Sequence, residues 1–340
     1  MVHLQIELIK WYDKHKRDLP WRHTKDPYKI WLSEIILQQT RVTQGLSYYH
    51  KFISTHPNVT SLARASEEEV LSLWKGLGYY SRARNLHKTA RQVQEEFKGK
   101  FPNSYDGLIK LTGVGPYTAA AISSFCYNEQ KAVVDGNVFR VLSRIYDVDT
   151  PINTTQGQKE FGALAKATLN KNQPAKHNQA MMEFGALQCV PKNPQCPSCP
   201  VVFLCLSQNK GTVGQRPQKI KKIKKKNRFL LYKVYFDRKN KKVFLKKRTE
   251  KDIWFNLYDF HLTEYSSSEE LDEAIKRKKT FRKKHLLTHQ TLHVAFLLKE
   301  ATNNKEQLKP LKPYSMDKAK ELPMPILHEK YIVEHLGFLD

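Results

Sequence analysis

Residues 111–140 read LTGVGPYTAAAISSFCYNEQKAVVDGNVFR, and this stretch decides the fold. It opens on a short turn, Gly113-Val114-Gly115, set between an apolar residue and a run of small helix formers, Thr118-Ala119-Ala120-Ala121. Glycines in such a turn permit positive φ and let the backbone of another molecule come close. The helix that starts after them presents unpaired N–H groups, which makes its first turn a site for phosphate. Twenty residues past Gly115 stands Asp135, a carboxylate between the apolar pair Val133-Val134 and the dipeptide Gly136-Asn137. A phosphate clamp near a candidate catalytic acid points to chemistry on a nucleic acid.

Composition agrees with that direction. A chain of 340 residues has room for two domains. Its 40% hydrophobic and 11% aromatic content suits packed cores rather than disorder. Lys and Arg number 58 against 33 Asp and Glu, a net charge of +25 that falls in clusters. Such a field favours polyanions, meaning nucleic acid or an anionic membrane surface. No run of 18 apolar residues offers a membrane span. The first residues, MVHLQIELIKWYDKHKRDLPW, lack the apolar core and small-residue cleavage site of a signal peptide.

Residues 1–110 read as mostly helical. The pattern predicts helices over Lys29–Val42, Ser66–Lys75 and Ser81–Phe97, the second opened by the capping signature Ser66-Glu67-Glu68-Glu69. Glu34 has apolar neighbours on both sides. Burial there would raise its pKa and let it hold a proton near neutrality; by residue type alone, a surface glutamate paired with a cation is the plainer reading. Between the later helices, Gly76-Leu77-Gly78-Tyr79-Tyr80-Ser81-Arg82 joins aromatic and basic residues on a tight turn. A nucleic-acid wedge needs that combination, although a tyrosine pair is more often simply core.

Four of the five cysteines, Cys189, Cys196, Cys199 and Cys205, crowd into 17 residues with the spacing C-x6-C-x2-C-x5-C. Four thiolates so close in sequence can close on zinc or on a [4Fe–4S] centre, and spacing alone does not choose. Cys126 stands apart on the alanine-rich helix and reads as a buried thiol. From Gly211 to Arg228 the composition shifts to a linker with a basic run, Lys219, Lys221, Lys222, Lys224, Lys225 and Lys226. Beyond it, strands are expected at Phe229–Phe236, Lys242–Lys247, Leu257–Leu262 and His293–Leu298, with a turn at Asp237–Asn240 and a helix at Ser268–Arg277. The domains expected are therefore 1–210 (helical, with a cysteine loop at 189–205), a linker at 211–228, and an α/β domain at 229–340.

With these pieces in place, the chain resembles the adenine DNA glycosylases of the MutY type, in the helix-hairpin-helix superfamily that includes endonuclease III. Six motifs carry the likeness in order: Leu19-Pro20-Trp21-Arg22, Ser33-Glu34-Ile35-Ile36-Leu37-Gln38-Gln39-Thr40, Gly76 to Leu86, Leu111-Thr112-Gly113-Val114-Gly115, Val134-Asp135-Gly136-Asn137-Val138 and the four cysteines. The resemblance implies a multidomain fold: an all-α helix-hairpin-helix glycosylase domain carrying a [4Fe–4S] cluster on the four cysteines, then an α/β Nudix-like domain. It implies that Glu34 protonates adenine, that Asp135 stabilises an oxocarbenium-like sugar, and that Tyr117 and Asn137 assist them. Gln38, Gln39 and Tyr79 match residues that contact or enter the DNA stack, with Gly113, Val114 and Gly115 on the backbone. Arg17, Trp21 and Arg22 match the region lining the adenine pocket.

Two departures matter. Endonuclease III-like relatives carry a lysine nucleophile where Tyr117 stands, so a Schiff-base lyase step has no amine here. A monofunctional glycosylase follows; a bifunctional enzyme acting on oxidised pyrimidines is the alternative. In the Nudix-like domain, where the hydrolase box is missing, the family reads 8-oxoguanine with a loop of the form H-x-F-S-H. Here it runs His285-Leu286-Leu287-Thr288-His289. Thr288 keeps a hydroxyl, whereas Leu287 gives up an aromatic face worth ~1–3 kcal/mol per stacked base. The hairpin also has Thr112 where proline is usual, with little effect expected. Lys276, Arg277, Lys278, Lys279, Arg282, Lys283 and Lys284, around this loop, read as phosphate contacts or as a solvated helix face and turn. The expected partner is duplex DNA with 8-oxoguanine:A or G:A mispairs, bound by a monomer in a bacterial cytoplasm, away from membranes.

Overall fold

The computed structural model describes residues 1–220, 225–301 and 308–337. The chain forms two compact units, Met1–Arg64 with Asn85–Lys221, and Ala65–Arg84 with Lys222–Asp340. The segment 65–84 thus groups with the C-terminal part of the chain. Lys221, Lys222 and Lys224 of the basic run lie outside the described residues.

Twelve helices precede the first strand among the described residues: α1 Val2–His15, α2 Pro27–Leu37, α3 Val42–Thr55, α4 Val59–Arg64, α5 Glu67–Leu73, α6 Ser81–Phe97, α7 Tyr105–Leu108, α8 Pro116–Tyr127, α9 Gly136–Ile145, α10 Thr155–Thr168, α11 Pro174–Leu187 and α12 Leu206–Asn209. In the first unit α2 packs on α3 and α8, while α11 packs on α1 and α9. A core of Leu8, Trp11, Val141, Phe161, Met181 and Phe184 joins α1, α9, α10 and α11. The α2 helix is apolar around nearly its whole circumference, so residues Ile30 to Ile36 are all buried, Ser33 and Glu34 included. A helix of that pattern belongs inside a protein. It begins on an Asp26 cap, whose side chain accepts from the Tyr28 N–H, with Pro27 at the first position.

This helix ends at Leu37 rather than running on to Val42. Gln39 takes φ 58°, a left-handed backbone that cannot continue a right-handed helix. The polar run Gln38-Gln39-Thr40 also has nothing apolar to bury, so the break costs no core contact.

In the second unit a mixed sheet comprises β1 Lys226–Asp237, β2 Lys242–Lys247, β3 Tyr258–Asp259, β4 His261–Tyr265, β5 Phe281–Leu286, β6 Gln290–Glu300 and β7 Lys312–Ser315. Its order is β3-β2-β1-β6-β5, with β4 pairing β1 and β7 pairing β2. The long β1 and β6 strands run parallel from Lys226↔Gln290 to Phe236↔Glu300. Alternation then sorts their side chains. Leu230, Tyr232, Val234, Leu292, Val294 and Phe296 enter one core, which α14 (Met316–Glu321) and α15 (Ile326–Tyr331) complete. Leu231, Ala295 and Leu297 face Leu271 and Ile275 of α13 (Ser268–Ala274) and the residue after it. Helices on both faces make the unit α/β, as expected.

The segment 281–286, open in the sequence between phosphate contacts and a helix face or turn, is strand β5, and the expected strand Leu257–Leu262 is split at Phe260 into β3 and β4. Helix α5 carries the capping box expected at Ser66 and Glu69. Within the second unit it is fastened by the bonds of Asn256 to Glu67 (2.5 Å) and of Tyr258 to Glu68 (3.1 Å).

Candidate active site

Three helices of the first unit bring the predicted acids together. Glu34, on α2, is 8% exposed, and its Oε2 accepts the hydroxyl of Tyr117 from α8 at 2.8 Å. Burial holds the Glu34 carboxyl up at about 7; the charge of Asp135 pushes the same way, while the Tyr117 bond pulls down. Half of such groups carry a proton at neutral pH, the condition a general acid needs.

Asp135 is the N-cap of α9. Its Oδ1 accepts the backbone N–H groups of Asn137 (2.9 Å) and Val138 (2.8 Å), and its Oδ2 accepts the Asn137 side-chain amide (2.7 Å). Every partner is a donor, so the arrangement presents an ionised carboxylate. Burial moves its pKa up, against the pull of these bonds and of Arg140. The two carboxyl groups therefore differ in environment: one is buried with a single donor, the other is bound by three.

Residues that sequence reasoning missed hold Asp135 in place. Arg140 donates to the Asn137 Oδ1 (2.8 Å), the Gly185 carbonyl (2.6 Å) and the Cys189 carbonyl (2.7 Å). A Cβ at Gly185 would lie 2.6 Å from Asn137 Cβ and 2.8 Å from its carbonyl oxygen, so only glycine lets α11 pack this closely on the turn. One turn further along α9, Arg144 binds the carbonyls of Val190 (2.8 Å) and Pro191 (3.2 Å) and reaches the Cys189 sulfur at 3.3 Å. The signal in the sequence is two arginines four apart on a largely apolar helix.

All four cysteines border one cavity of about 30 Å3 beside Arg144 and Phe184. Among the described residues no three His, Cys, Asp or Glu side chains are gathered into a set that would hold a metal ion. The ionisable donors around the cavity are nevertheless the four thiols, beside the amides of Gln188, Gln195 and Gln208, with no carboxylate or imidazole on its border. Burial pushes the Cys199 thiol up to about 11, so a strongly thiophilic centre is what would keep this loop in thiolate form. Four thiols suit a zinc or an iron–sulfur centre alike. Cys126 is a buried free thiol, as read.

The hairpin turn behaves as its glycines require at one position only. Gly113 has φ 75°, and a Cβ there would stand 2.7 Å from Asn85. Gly115 is extended and caps α8, with no atom within 4 Å of where its Cβ would be, which leaves its backbone open to approach. Gln38 reaches Thr118 on α8 at 3.4 Å.

Arg17 and Arg22 both bind Glu183 on α11. Arg17 does so through its backbone N–H (2.8 Å) and guanidinium (2.9 and 2.6 Å), and Arg22 through its guanidinium (2.9 and 2.7 Å). Burial pushes Glu183 up, but the two arginines outweigh it and hold the carboxyl at about 2. Glu183 was missed as well; its signal is a lone acid in the apolar run of α11. Trp21 packs edge-on against Tyr49, with centroids 5.1 Å apart.

In the second unit the turn 76–80 is built from left-handed residues, with Gly76 at φ 93°, Gly78 at 71° and Tyr79 at 48°. Tyr79 is half exposed, and its hydroxyl bonds that of Thr288. Thr288 lies in the tip of the β5–β6 hairpin, which Leu287 N–H closes on the Gln290 carbonyl at 2.8 Å. These residues, with His289, border a cavity of about 550 Å3.

A helical unit with a glycine hairpin and a capped aspartate, and a mixed-sheet second unit, define a class. The model of the HhH-GPD superfamily of base excision DNA repair proteins matches residues 32–166, and that of the NUDIX domain matches residues 233–334. The adenine DNA glycosylase of Buchnera aphidicola subsp. Schizaphis graminum is 35% identical over 302 residues, which are 86% of this chain and 86% of that protein. The mouse adenine DNA glycosylase is 42% identical over 217 residues, covering 61% of this chain and 42% of that one. A thermostable thymine-DNA glycosylase structure superposes with TM-score 0.57 at 29% identity, over 61% of this chain and 95% of its own. A trapped endonuclease III–DNA intermediate shares the fold with TM-score 0.53 at 22% identity, over 61% of this chain and 95% of its own. This chain belongs to the adenine DNA glycosylase family. No helix among the described residues is long and apolar enough to cross a membrane.

Proposed function

We propose that this chain removes adenine paired with 8-oxoguanine, or with guanine, from duplex DNA and leaves an abasic site without cutting the strand. The observation that carries this is the pair of carboxyl groups: Glu34 with a pKa of about 7 beside Tyr117, and Asp135 fixed as a carboxylate at the start of α9. Adenine leaves poorly as an anion. Glu34 gives its proton to N7, and the bonding pair of the glycosidic bond departs with the neutral base. The Asp135 carboxylate faces the developing positive charge at C1′, the two-carboxylate logic of glycoside hydrolysis. Water then adds to C1′ and returns its proton to Glu34. Asn137 and Arg140 orient Asp135, and Tyr117 supplies a phenol where a lyase would need an amine.

The adenine must first leave the stack, at a cost of a few kcal/mol. Gln39 and Tyr79, both in left-handed backbone, fill or wedge the space it leaves, with Gln38 beside them. The turn Gly113-Val114-Gly115 offers its N–H groups to phosphate. Arg17, Trp21 and Arg22 line the adenine pocket, the arginines held by Glu183. Thr288, Leu287 and His289 read the opposite base. Cys189, Cys196, Cys199 and Cys205 would hold a [4Fe–4S] cluster in the loop that Arg144 ties to α9; no step of the chemistry passes through it.

Single-turnover base release tests the proposal on duplexes with 8-oxoguanine:A, G:A and an oxidised pyrimidine, with borohydride present to trap an imine. Adenine release without strand cleavage or a trapped adduct is expected. Release of the oxidised pyrimidine with a trapped adduct would establish the bifunctional alternative.

A further inference from the structure

The cavity of the second unit is bordered by Tyr79 and Arg84, by Asp252 to Trp254 and by the hairpin residues from His285 onward. Its volume of about 550 Å3 lies within the range of ligand clefts. The apolar residue at the hairpin tip, Leu287, has no aromatic face. Trp254 supplies one from the loop between β2 and β3.

The backbone of Trp254 is held in an uncommon state. Its φ is 63°, and Asn256 follows at 64°; bulky side chains rarely adopt this region. The loop is pinned around it. Phe255 N–H bonds the Asp252 carbonyl (3.3 Å), Asn256 N–H that of Arg248 (3.0 Å) and Leu257 N–H that of Trp254 itself (3.0 Å). The Asp252 carboxylate is in turn held by Arg228 at 2.8 Å. Strain maintained by so many fastenings is a mark of functional sites. The indole is braced by His285 and His328, with ring centroids at 6.2 and 5.6 Å. Burial keeps both imidazoles below their ordinary pKa, so the brace is uncharged.

Building on the reading of the hairpin as the element that meets the base opposite adenine, we propose that Trp254 is the surface on which that purine stacks. A stacked base senses the indole whatever its edge carries, so Trp254 sets the strength of binding and Thr288 the preference for the oxidised purine.

The test measures binding of three duplexes by the full chain with its metal centre loaded. Each carries a non-hydrolysable adenine analogue, opposite 8-oxoguanine, guanine or a reduced abasic residue. Trp254→Leu is expected to weaken the first two by about tenfold to a hundredfold, the size of one base–aromatic stack, and to leave the third unchanged. Trp254→Phe, which keeps a ring, is expected to stay within a few fold of the parent on all three. Equal losses on all three duplexes, or no loss on any, would overturn the assignment. Should the leucine variant not fold, Trp254→Met against Trp254→Phe gives the same comparison. A parent chain that binds the abasic duplex as tightly as the other two would instead sink the reading of the hairpin itself.

Discussion

The proposed catalytic centre of the first unit and the cavity of the second face opposite physical demands. Around Glu34 and Asp135 the protein buries one carboxyl and half-buries the other, and the fold commits a helix cap, a glycine contact and two buried arginines to holding charge in place. Around Tyr79, Trp254 and Thr288 it leaves an open volume of about 550 Å3 walled by aromatic rings and a hydroxyl. Bond breaking needs electrostatics in a dry site, where each group is worth orders of magnitude. Discriminating two purines needs stacking and one or two hydrogen bonds, each worth a modest factor. The first region should therefore fail abruptly under substitution and the second should degrade by degrees.

The largest effects belong to the two carboxyl groups. Asp135→Asn keeps the cap's shape but removes the charge opposing the oxocarbenium ion, and single-turnover release should fall roughly 1,000-fold or more. Glu34→Gln removes the proton donor and should cost on the order of 100- to 10,000-fold. Both variants should bind duplex DNA with nearly parental affinity. A loss confined to binding would move these residues out of the chemistry.

The next effect is a pH dependence. The pKa of Glu34 is raised to about 7, and in the proposed mechanism the protonated form is the active one. Release should be flat below about pH 6 and fall about tenfold per pH unit well above 7. Tyr117 stabilises the carboxylate through its hydrogen bond. Tyr117→Phe removes that bond, so the break in the profile should move to higher pH. A break that stays in place, or moves down, would show that Tyr117 does not set the acidity of Glu34.

How much of this was legible follows the same division. Asp135 could be read because a cap is local: the acid, the glycine and the asparagine are neighbours in the chain. Glu34 was half legible. The apolar run around it predicted burial, but no local pattern could show that Tyr117 would meet it. Arg140 and Gly185 were invisible because they act across a 45-residue separation. Strand β5 escaped because it is an edge strand, and edge strands carry exposed lysines that blur the alternation by which strands are recognised. Trp254 escaped for a third reason: its φ is imposed by the bonds that Phe255 and Asn256 N–H donate to the carbonyls of Asp252 and Arg248, and an aromatic residue in a loop gives no sign of its backbone angle.

The smallest effects should separate reading from holding within the second unit. Thr288 bonds Tyr79 through its hydroxyl in the free protein, and that hydroxyl is free to exchange this partner for the edge of the oxidised purine. Thr288→Val deletes it at nearly constant volume, a change of about 1 kcal/mol or roughly fivefold. It should lower affinity for 8-oxoguanine:A while leaving G:A where it was. Lys283 and Lys284, exposed on β5, carry no information about the base. Replacing either with glutamine should lower the slope of log affinity against log salt by about 0.9 and weaken both duplexes equally. If the lysine variants changed the ratio between the two duplexes, or Thr288→Val changed the salt slope, holding and reading would be one function on this hairpin. The contrast with the catalytic centre would then lie in magnitude alone.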